Sequence, residues 1–437
     1  MKIHILGIAG TFMSGIAILA KKKGHEVSGS DTACYEPIKS ILEKQNIKVN
    51  LGYKNKDVTN KDLIIIGNVM SRGNPIIEYI LKNNINYTSG PKWLSENILK
   101  NKKVIAISGT HGKTTTTSMI VHIMQKSRLN PSYLIGGDPV GSLKSVHLTN
   151  SEYFVIEADE YDTAFFDKQS KFIHYKPYIL MINNIEFDHA DIFKSIDDII
   201  KSFHHLVRLV PPNGKIIINN NDINIKKLLK IGYWSKLVTI DSKKNIGDYN
   251  IIKNDNYYIS NNKTKLQLPD NILGHHNYLN AVSAIVVCCQ LKIPIRSQIK
   301  HIKSFRGVKK RLELLENMKS RIIYEDFAHH PTSINLSIQS INQKYKKKKL
   351  LTIFIPGSNS MQLGIHNEHL ISSLNQSNYV LIITKTKMFK SFEKNNNKIN
   401  VIESESQISQ YLNCNKKFDI ILILSNKNTN DVKKYLK

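Results

Sequence analysis

The chain has 437 residues, of which 41% are hydrophobic, so a disordered protein is excluded and about three folded domains are expected. No apolar run approaches the roughly 18 residues of a membrane span, so we expect no membrane partner. The four cysteines lack metal-ligand spacing, so we expect neither a zinc site nor a disulfide framework. This cysteine usage favours a reducing, cytoplasmic location. The formal net charge of +27 accompanies lysine, asparagine and isoleucine throughout, without a nucleic-acid-binding motif. We therefore attribute the charge to compositional bias and expect no nucleic-acid partner.

Residues 1–100 alternate apolar runs and helical stretches in the order of a Rossmann-like domain. A predicted strand at 3–6 is followed by a glycine turn from Gly7 to Gly15 and then by a helix. The glycine spacing is wider than the GxGxxG of dinucleotide-binding proteins, so the turn alone is a weak signal. Asp31 ends the second predicted strand, where it either binds a ribose or caps the next helix.

The strongest motif opens a second predicted domain, residues 101–305. It lies between a buried strand at 104–107 and a predicted helix from 116 onward, and reads Gly109, Thr110, His111, Gly112, Lys113, Thr114 and Thr115. The backbone N–H groups of such a turn and the positive end of the following helix attract phosphate oxygens. Lys113 can reach the β- and γ-phosphates, and the Thr114 hydroxyl can bind Mg²⁺. The turn is shorter than a strict P-loop, because Ile107 stands where that pattern has its first glycine.

Two later predicted strands end in residues that suit a metal site. Glu157 ends the strand at 153–156, and His189 follows the strand at 178–182. If the sheet is parallel, both ends lie beside the phosphate loop. A carboxylate at that position is the usual metal ligand of NTPases. Because Mg²⁺ prefers oxygen ligands, His189 is either a further ligand or a helix-capping or hydrogen-bonded histidine.

Residues 306–437 read as a third α/β unit, with strands at 321–324, 350–355, 379–383 and 420–424. Arg311 stands near its start, where it either contacts phosphate or forms a salt bridge. Asp326 follows the first of these strands in a segment that ends at Pro331. That segment either faces a nucleotide or forms an ordinary turn.

Several of these motifs, in this order, resemble the Mur ligases, the ATP-dependent amide-forming enzymes of bacterial cell-wall precursor assembly. The resemblance covers the whole chain and rests on residues 7–15, 29–31, 109–115, 157–160, 188–189, 276–281, 311–313 and 326–331. It implies an α/β fold with a Rossmann-like UDP-substrate-binding domain (1–100), a P-loop-type central ATPase domain (101–305) and a Rossmann-like C-terminal ligase domain (306–437).

The resemblance also implies roles for individual residues. Catalytic roles fall to Lys113, Glu157, His189, Arg311 and Asp326. Mg²⁺ would be held by Thr114, Glu157 and His189, while ATP would contact the phosphate loop together with Asn277 and Asn280. The glycine turn of the first domain would hold the diphosphate of UDP.

Segments 67–75, 89–94 and 160–168 resemble the Mur ligases that act in peptidoglycan recycling. The implied reaction joins the tripeptide L-Ala-γ-D-Glu-meso-diaminopimelate to UDP-N-acetylmuramate through an acyl phosphate, with ATP and Mg²⁺ as cofactors. A cytoplasmic protein that is a monomer or a weak homo-oligomer is expected.

Two segments of the third domain depart from the family pattern. Gly357 replaces an arginine in a Pro-Arg-Ser-Asn segment, and a glycine cannot grip a substrate carboxylate. A glycine-rich segment is replaced by residues 425–430, which contain no glycine. Both changes bear on peptide recognition. They leave two alternatives open: a ligase that adds L-alanine, and a nucleotide-binding paralogue without ligase activity.

Overall fold

The structure is a computed structural model that describes residues 1–188, 192–317, 321–357, 367–394, 396–414 and 418–436. The chain divides into two compact units. The first comprises Met1–Glu186, Ser195–Gln267 and Val282–Phe305, and the second comprises Phe187–Lys194, Leu268–Ala281 and Arg306–Lys437. The predicted domain boundaries at residues 100 and 305 stay predictions. No helix in the described ranges has both the length and the hydropathy that a membrane crossing needs.

The first unit begins with a parallel sheet. Its strands are β1 Lys2–Leu6, β2 Glu26–Asp31, β3 Lys48–Leu51, β4 Leu63–Ile66 and β5 Tyr87–Ser89. The helices are α1 Thr11–Lys22, α2 Ile38–Glu43, α3 Asn55–Val58, α4 Pro75–Lys82 and α5 Gly90–Leu94, followed by a π-helical turn at Ser95–Leu99. The strand order β3-β2-β1-β4-β5 places β1 at the centre, as the Rossmann-like prediction requires.

The second sheet of this unit carries the phosphate loop. Its strands are β6 Lys103–Ser108, β7 Ser132–Leu134, β8 Val146–His147, β9 Tyr153–Ala158, β12 Ile179–Ile182, β13 Lys215–Asn219, β14 Lys236–Asp241, β15 Tyr249–Lys253, β16 Tyr257–Ser260 and β17 Lys265–Gln267. A separate antiparallel hairpin consists of β10 Asp162–Ala164 and β11 Asp167–Ser170. Around them lie α6 Lys113–Lys126, a 3-10 turn at Lys171–His174, α7 Ile196–Val207, α8 Ile223–Ile231 and α10 Ile295–Lys303. Helix α9 His275–Cys289 begins in the second unit and belongs to the first unit from Val282 onward.

Strand β6 lies between β9 and β12, and all three run parallel. The five residues from Val104 to Ser108 are buried, because β6 is covered on both faces. Parallel pairing brings the carboxyl ends of β6, β9 and β12 to one edge, where open α/β sheets bind ligands. The predicted parallel arrangement of these strands is confirmed.

The third sheet belongs to the second unit. Its strands are β18 Glu313–Asn317, β19 Ile322–Asp326, β20 Leu350–Ile355, β21 Tyr379–Ile383, β22 Ile399–Ile402 and β23 Ile420–Ser425, in the order β18-β19-β23-β20-β21-β22. Its helices are α11 Pro331–Lys344, α12 Asn367–Leu374, α13 Lys390–Lys394, α14 Ile408–Cys414 and α15 Asn430–Leu436, with 3-10 turns at Lys387–Phe389 and Glu405–Gln407. Only β18 pairs antiparallel among the described strands of this sheet.

A buried polar network lies behind the glycine turn of the first sheet. The ring nitrogens of His4 lie 2.8 Å from the Ser28 and Ser30 hydroxyl oxygens. Ser30 donates to Asp57 at 3.3 Å, and Asn50 donates to the other oxygen of that carboxylate. Burial lowers the pKa of His4 from 6.5 to about 4, although Asp57 acts in the opposite direction. The folded protein therefore holds His4 in its neutral form at neutral pH.

This network predicts acid sensitivity of the first sheet. The unfolded chain protonates His4 near its ordinary pKa, so stability is complete above about pH 6.5 and falls as the pH decreases toward 4. At about 1.4 kcal/mol for each pKa unit, the whole difference corresponds to about 3 kcal/mol, of which about 2 kcal/mol is lost by pH 5. Urea unfolding followed by the fluorescence of the buried Trp93 measures this loss of stability, in a Trp234→Phe protein so that Trp93 is the one tryptophan left.

In that background, His4→Gln removes this part of the pH dependence, and replacement of the exposed His205 by glutamine leaves it unchanged. If the free energy of unfolding falls equally in the Trp234→Phe parent and in its His4→Gln variant between pH 7.5 and pH 5, the network is excluded as the cause.

Candidate functional site

The phosphate loop is a tight turn between β6 and α6 whose shape requires its glycines. Gly109 has φ +131° and Gly112 has φ +81°, values that favour glycine. A Cβ on Gly109 would lie 2.9 Å from the backbone oxygen of Asn184. The turn therefore passes so close to the segment after β12 that a side chain at residue 109 is excluded.

Hydrogen bonds fasten this loop to the segment that follows β12. Asn184 Oδ1 accepts the N–H of His111 at 2.8 Å, and Asn184 Nδ2 donates to the carbonyl of His111 at 3.2 Å. The hydroxyl of Thr110 accepts the N–H of Glu186 at 2.8 Å. His111 Nε2 lies 3.4 Å from a carboxylate oxygen of Glu186. These contacts hold the loop in one conformation, which is what a preformed phosphate cradle needs.

Lys113 begins α6 and folds back across the turn. Its ammonium donates to the carbonyl of Gly109 at 2.7 Å and lies 3.2 Å from Glu160 and 3.3 Å from Asp159. Burial by itself would lower the pKa of Lys113, but the carboxylates of Glu160 and Asp159 outweigh it and raise the pKa above its usual value. A permanently charged ammonium is thereby held at the loop.

Thr114 and Glu157 form the oxygen-donor pair expected of a metal site. The Thr114 hydroxyl donates to Glu157 Oε2 at 3.0 Å, and the N–H of Gly136 donates to Glu157 Oε1 at 2.6 Å. A hydroxyl and a carboxylate are ligands that suit Mg²⁺. The pair therefore fits the predicted cation, and a bound Mg²⁺ would replace the hydrogen bond between them. His189, the third predicted ligand, lies outside the described residues.

The glycine turn of the first sheet spans residues 7–10 and not 7–15 as predicted, because α1 begins at Thr11 and contains Gly15. This turn borders a pocket, and Asp31 shapes the turn. One carboxylate oxygen of Asp31 accepts the N–H of Ala9 at 2.8 Å, and the other accepts the N–H of Thr32 at 2.8 Å. Helix α2 begins after Pro37 without a side-chain cap, so the helix-capping alternative for Asp31 is wrong. Ribose binding by this residue stays a prediction.

The second unit contains the other predicted nucleotide residues. Asn280 Nδ2 donates to Asn277 Oδ1 at 3.1 Å, and Asn277 Nδ2 donates to the carbonyl of Leu273 at 2.8 Å. The two asparagines thus orient each other at the start of α9. Their contact with adenine stays a prediction.

Asp326 is the last residue of β19 and is buried. Its carboxylate accepts the N–H of Leu312 and that of Ala328, both at 2.7 Å. Burial raises the pKa of Asp326 above its usual value, although the nearby Arg311 guanidinium opposes the shift. The guanidinium of Arg311 lies 4.8 Å from the centre of the Phe327 ring. Asp326 and Arg311 are therefore brought together, and their reach to the nucleotide stays a prediction.

The two departures from the family pattern lie side by side in this unit. A Cβ on Gly357 would lie 2.8 Å from Lys427 Cγ and 3.1 Å from Lys427 Cε, and would collide with Asn426 Oδ1. Lys310 donates to the carbonyl of Lys427 at 2.8 Å. Lys427 and Asn426 therefore occupy the space that a side chain at residue 357 would need.

Three residues at the phosphate loop had no role predicted from the sequence. They are Asp159 and Glu160, which neutralise Lys113, and Asn184, which holds the turn. The acidic pair directly after the Glu157 strand was a usable signal, because a buried ammonium needs anionic partners. The role of Asn184 depends on a tertiary contact and had no comparable signal.

The parallel sheet, the glycine turn and the Lys113–Thr114–Glu157 arrangement define a P-loop-type nucleotide-binding α/β protein. Residues 2–102 match the model of the Mur ligase family catalytic domain, and residues 107–288 match that of the Mur ligase middle domain. The chain belongs to the Mur ligase family, whose members are ATP-dependent ligases. The predicted family and its three-domain α/β architecture are confirmed.

Three known proteins illustrate the similarity. The UDP-N-acetylmuramate–L-alanyl-γ-D-glutamyl-meso-2,6-diaminoheptandioate ligase of Escherichia coli K12 is 41% identical over 387 residues, which is 88% of this chain and 85% of that protein. The UDP-N-acetylmuramate–L-alanine ligase of Clostridium tetani is 34% identical over a gapped alignment of 450 positions that covers 97% of this chain and 95% of that protein. The crystal structure of a murein peptide ligase from Psychrobacter arcticus has a TM-score of 0.79 at 33% identity and covers 100% of this chain and 98% of that one.

Thr114→Val tests the hydroxyl–carboxylate pair. Valine keeps the β-branched shape but removes the predicted metal ligand, so we expect kcat for ADP release to fall about 100-fold and the Mg²⁺ concentration required for activity to rise. The matched control is Thr117→Val, one turn along α6, whose hydroxyl bonds only to the carbonyl of Lys113 among the described residues. It should stay within about threefold of wild type. Equal losses in both variants would instead indicate a damaged helix.

Proposed function

We propose that this chain is an ATP-dependent ligase that joins L-alanyl-γ-D-glutamyl-meso-diaminoheptanedioate to UDP-N-acetylmuramate in peptidoglycan recycling. The observation that carries the ATP-dependent chemistry is the Lys113 ammonium beside the Thr114–Glu157 pair at the phosphate loop. The choice of tripeptide is supported by the Escherichia coli ligase of that name, at 41% identity, and by its Haemophilus influenzae counterpart, at 40% identity.

In the first step, the lactyl carboxylate of UDP-N-acetylmuramate attacks the γ-phosphorus of ATP. A P–O bond forms to the carboxylate, the bond to ADP breaks, and an acyl phosphate results. Such a transfer depends mainly on positioning and on neutralising the phosphate charge. The Lys113 ammonium supplies positive charge at the β- and γ-phosphates, for which it exchanges its contacts with Glu160 and Asp159. Mg²⁺ held by Thr114 and Glu157 would neutralise further phosphate charge.

In the second step, the free amine of the tripeptide attacks the acyl carbon. A C–N bond forms, inorganic phosphate leaves with the bonding electrons, and the amine gives up a proton. The acyl phosphate must be kept from water, because hydrolysis would waste it. Within the proposal, the loop residues act only in the first step, so amine selection depends on residues elsewhere.

Two other functions have specific observations in their favour. The similarity to the L-alanine ligase of Clostridium tetani extends over 97% of this chain. Gly357 and Lys427, which lie against each other, replace family residues and favour a nucleotide-binding paralogue without ligase activity. The identity of the amine that stimulates ATP turnover distinguishes the three functions: the tripeptide, L-alanine or neither.

The first test is ADP release from ATP with Mg²⁺ and UDP-N-acetylmuramate. We expect the tripeptide to stimulate release and the UDP-linked tripeptide product to appear by mass spectrometry, with L-alanine at least about 100-fold less effective in kcat/KM. Stimulation by L-alanine instead would identify an L-alanine ligase. ATP binding without release in the presence of either amine would identify a non-catalytic paralogue.

Lys427 offers a way for this chain to recognise the tripeptide despite Gly357. The tripeptide carries carboxylates on its γ-glutamyl and diaminoheptanedioate residues. In the described part of the chain, the exposed Lys427 ammonium has no carboxylate partner, while its stem lies over Gly357. Within the proposal, this ammonium binds a tripeptide carboxylate in place of the arginine that Gly357 replaces.

We therefore expect Lys427→Met to raise KM for the tripeptide about tenfold, with KM for ATP and for UDP-N-acetylmuramate unchanged. Methionine keeps the packing of the stem over Gly357, and Lys427→Arg should restore the wild-type value. Replacing Lys434 by methionine is the control, because its ammonium pairs with Asp431 at 2.8 Å. A tripeptide KM that does not change in Lys427→Met would exclude this residue from recognition.

A further inference from the structure

A pocket at the carboxyl end of the first sheet contains a cation that comes from outside that sheet. Its walls include Gly7 and Gly10 of the glycine turn, Thr11 and Phe12 at the start of α1, and Lys171. Lys171 follows the β10–β11 hairpin and starts the 3-10 turn at Lys171–His174. The hairpin thus brings a positive charge to a pocket formed mainly by the Rossmann-like sheet.

The position of the Lys171 side chain is set by backbone and aromatic contacts. Its N–H donates to the carbonyl of Tyr161 at 2.9 Å. Its ammonium lies 5.4 Å from the centre of the Tyr161 ring and 5.6 Å from the centre of the Phe12 ring. Two ring faces stabilise the ammonium without neutralising it. Within the described ranges, no carboxylate forms an ion pair with it.

The acidic residue of this pocket, Asp31, forms no ion pair with Lys171 in the described part of the chain. The carboxylate of Asp31 accepts the N–H groups of Ala9 and Thr32, so it serves the glycine turn. Helix α1 begins after Gly10 without a side-chain cap, and its first residues, Thr11 and Phe12, line the pocket. An ammonium and an uncapped helix start in one pocket favour a ligand that carries more than one anionic group.

We propose that Lys171 binds the diphosphate of the UDP-linked substrate in this pocket. This inference rests on the proposed function, because a UDP-linked sugar is the substrate assigned to the first sheet. A nucleoside diphosphate places one phosphate at the start of α1 and the other at the Lys171 ammonium. Lys171 then makes the segment after the β10–β11 hairpin part of the UDP site and links this hairpin to the first sheet through the substrate.

Calorimetric titration of the full chain with UDP and with uridine tests the inference without any ligation step. We expect wild type to bind UDP more tightly than uridine, and Lys171→Met to weaken UDP binding about tenfold while leaving uridine binding unchanged. Methionine keeps the stem between the two rings, and Lys171→Arg should stay within about threefold of wild type. Lys168→Met is the control on the same hairpin, because Lys168 is exposed and pairs with Asp162 at 3.0 Å.

Each outcome bears on one proposal. Unchanged UDP affinity in Lys171→Met, or an equal loss for UDP and uridine, would overturn the role of Lys171. Wild type that binds no UDP would overturn it as well. A UDP affinity that depends on Lys171, together with no ADP release by wild type with tripeptide or L-alanine, would retain the inference and refute the ligase function.

Discussion

The buried ammonium of Lys113 is the constraint on which the phosphate loop depends. An ammonium removed from water requires anionic or carbonyl partners, and here Gly109, Asp159 and Glu160 provide them. Those partners hold the lysine over a turn that Asn184 fixes from the other side. In the proposed reaction, a nucleotide phosphate replaces these carboxylates as the partner of the ammonium. The turn is therefore shaped before a nucleotide binds, and the exchange of carboxylate for phosphate around Lys113 is the rearrangement that binding requires.

A few of the many lysines occupy positions that bear on the proposed function. Most of the excess positive charge reflects composition, but three lysines are held in defined surroundings: Lys113 at the phosphate loop, Lys171 in the pocket of the first sheet and Lys427 over Gly357. A different kind of contact positions each side chain. Carboxylates surround Lys113, aromatic rings surround Lys171, and the stem of Lys427 packs against Gly357, which has no side chain. The proposed ligation of a UDP-sugar acid with a tripeptide uses one such cation for each anionic part of its substrates.

Periodicity and motifs predicted much of the fold. Strands β1, β6, β9 and β20 appear where continuous apolar runs predicted them, because parallel strands are buried on both faces. The phosphate loop was recognisable from its glycines, lysine and threonine, and Glu157 from its position at a strand end. The roles of Asp31 and Asn184 were not predictable in this way. Each side chain bonds to a backbone group far away along the chain, and no local pattern indicates that partner.

The sequence by itself determined the family, the three α/β regions and the chemistry of the loop, because strand patterns, turn glycines and ligand types are local properties. Only the tertiary structure decided which distant groups meet. It placed Glu160 on Lys113, Lys171 in the pocket of the first sheet, and Lys427 over Gly357. Parallel pairing sets the contacts of Glu160 and Lys427, since it brings strand ends that are remote in sequence to one edge of a sheet, whereas the antiparallel β10–β11 hairpin positions Lys171. The two departures from the family pattern, at Gly357 and Lys427, are far apart in the sequence but adjacent in the structure.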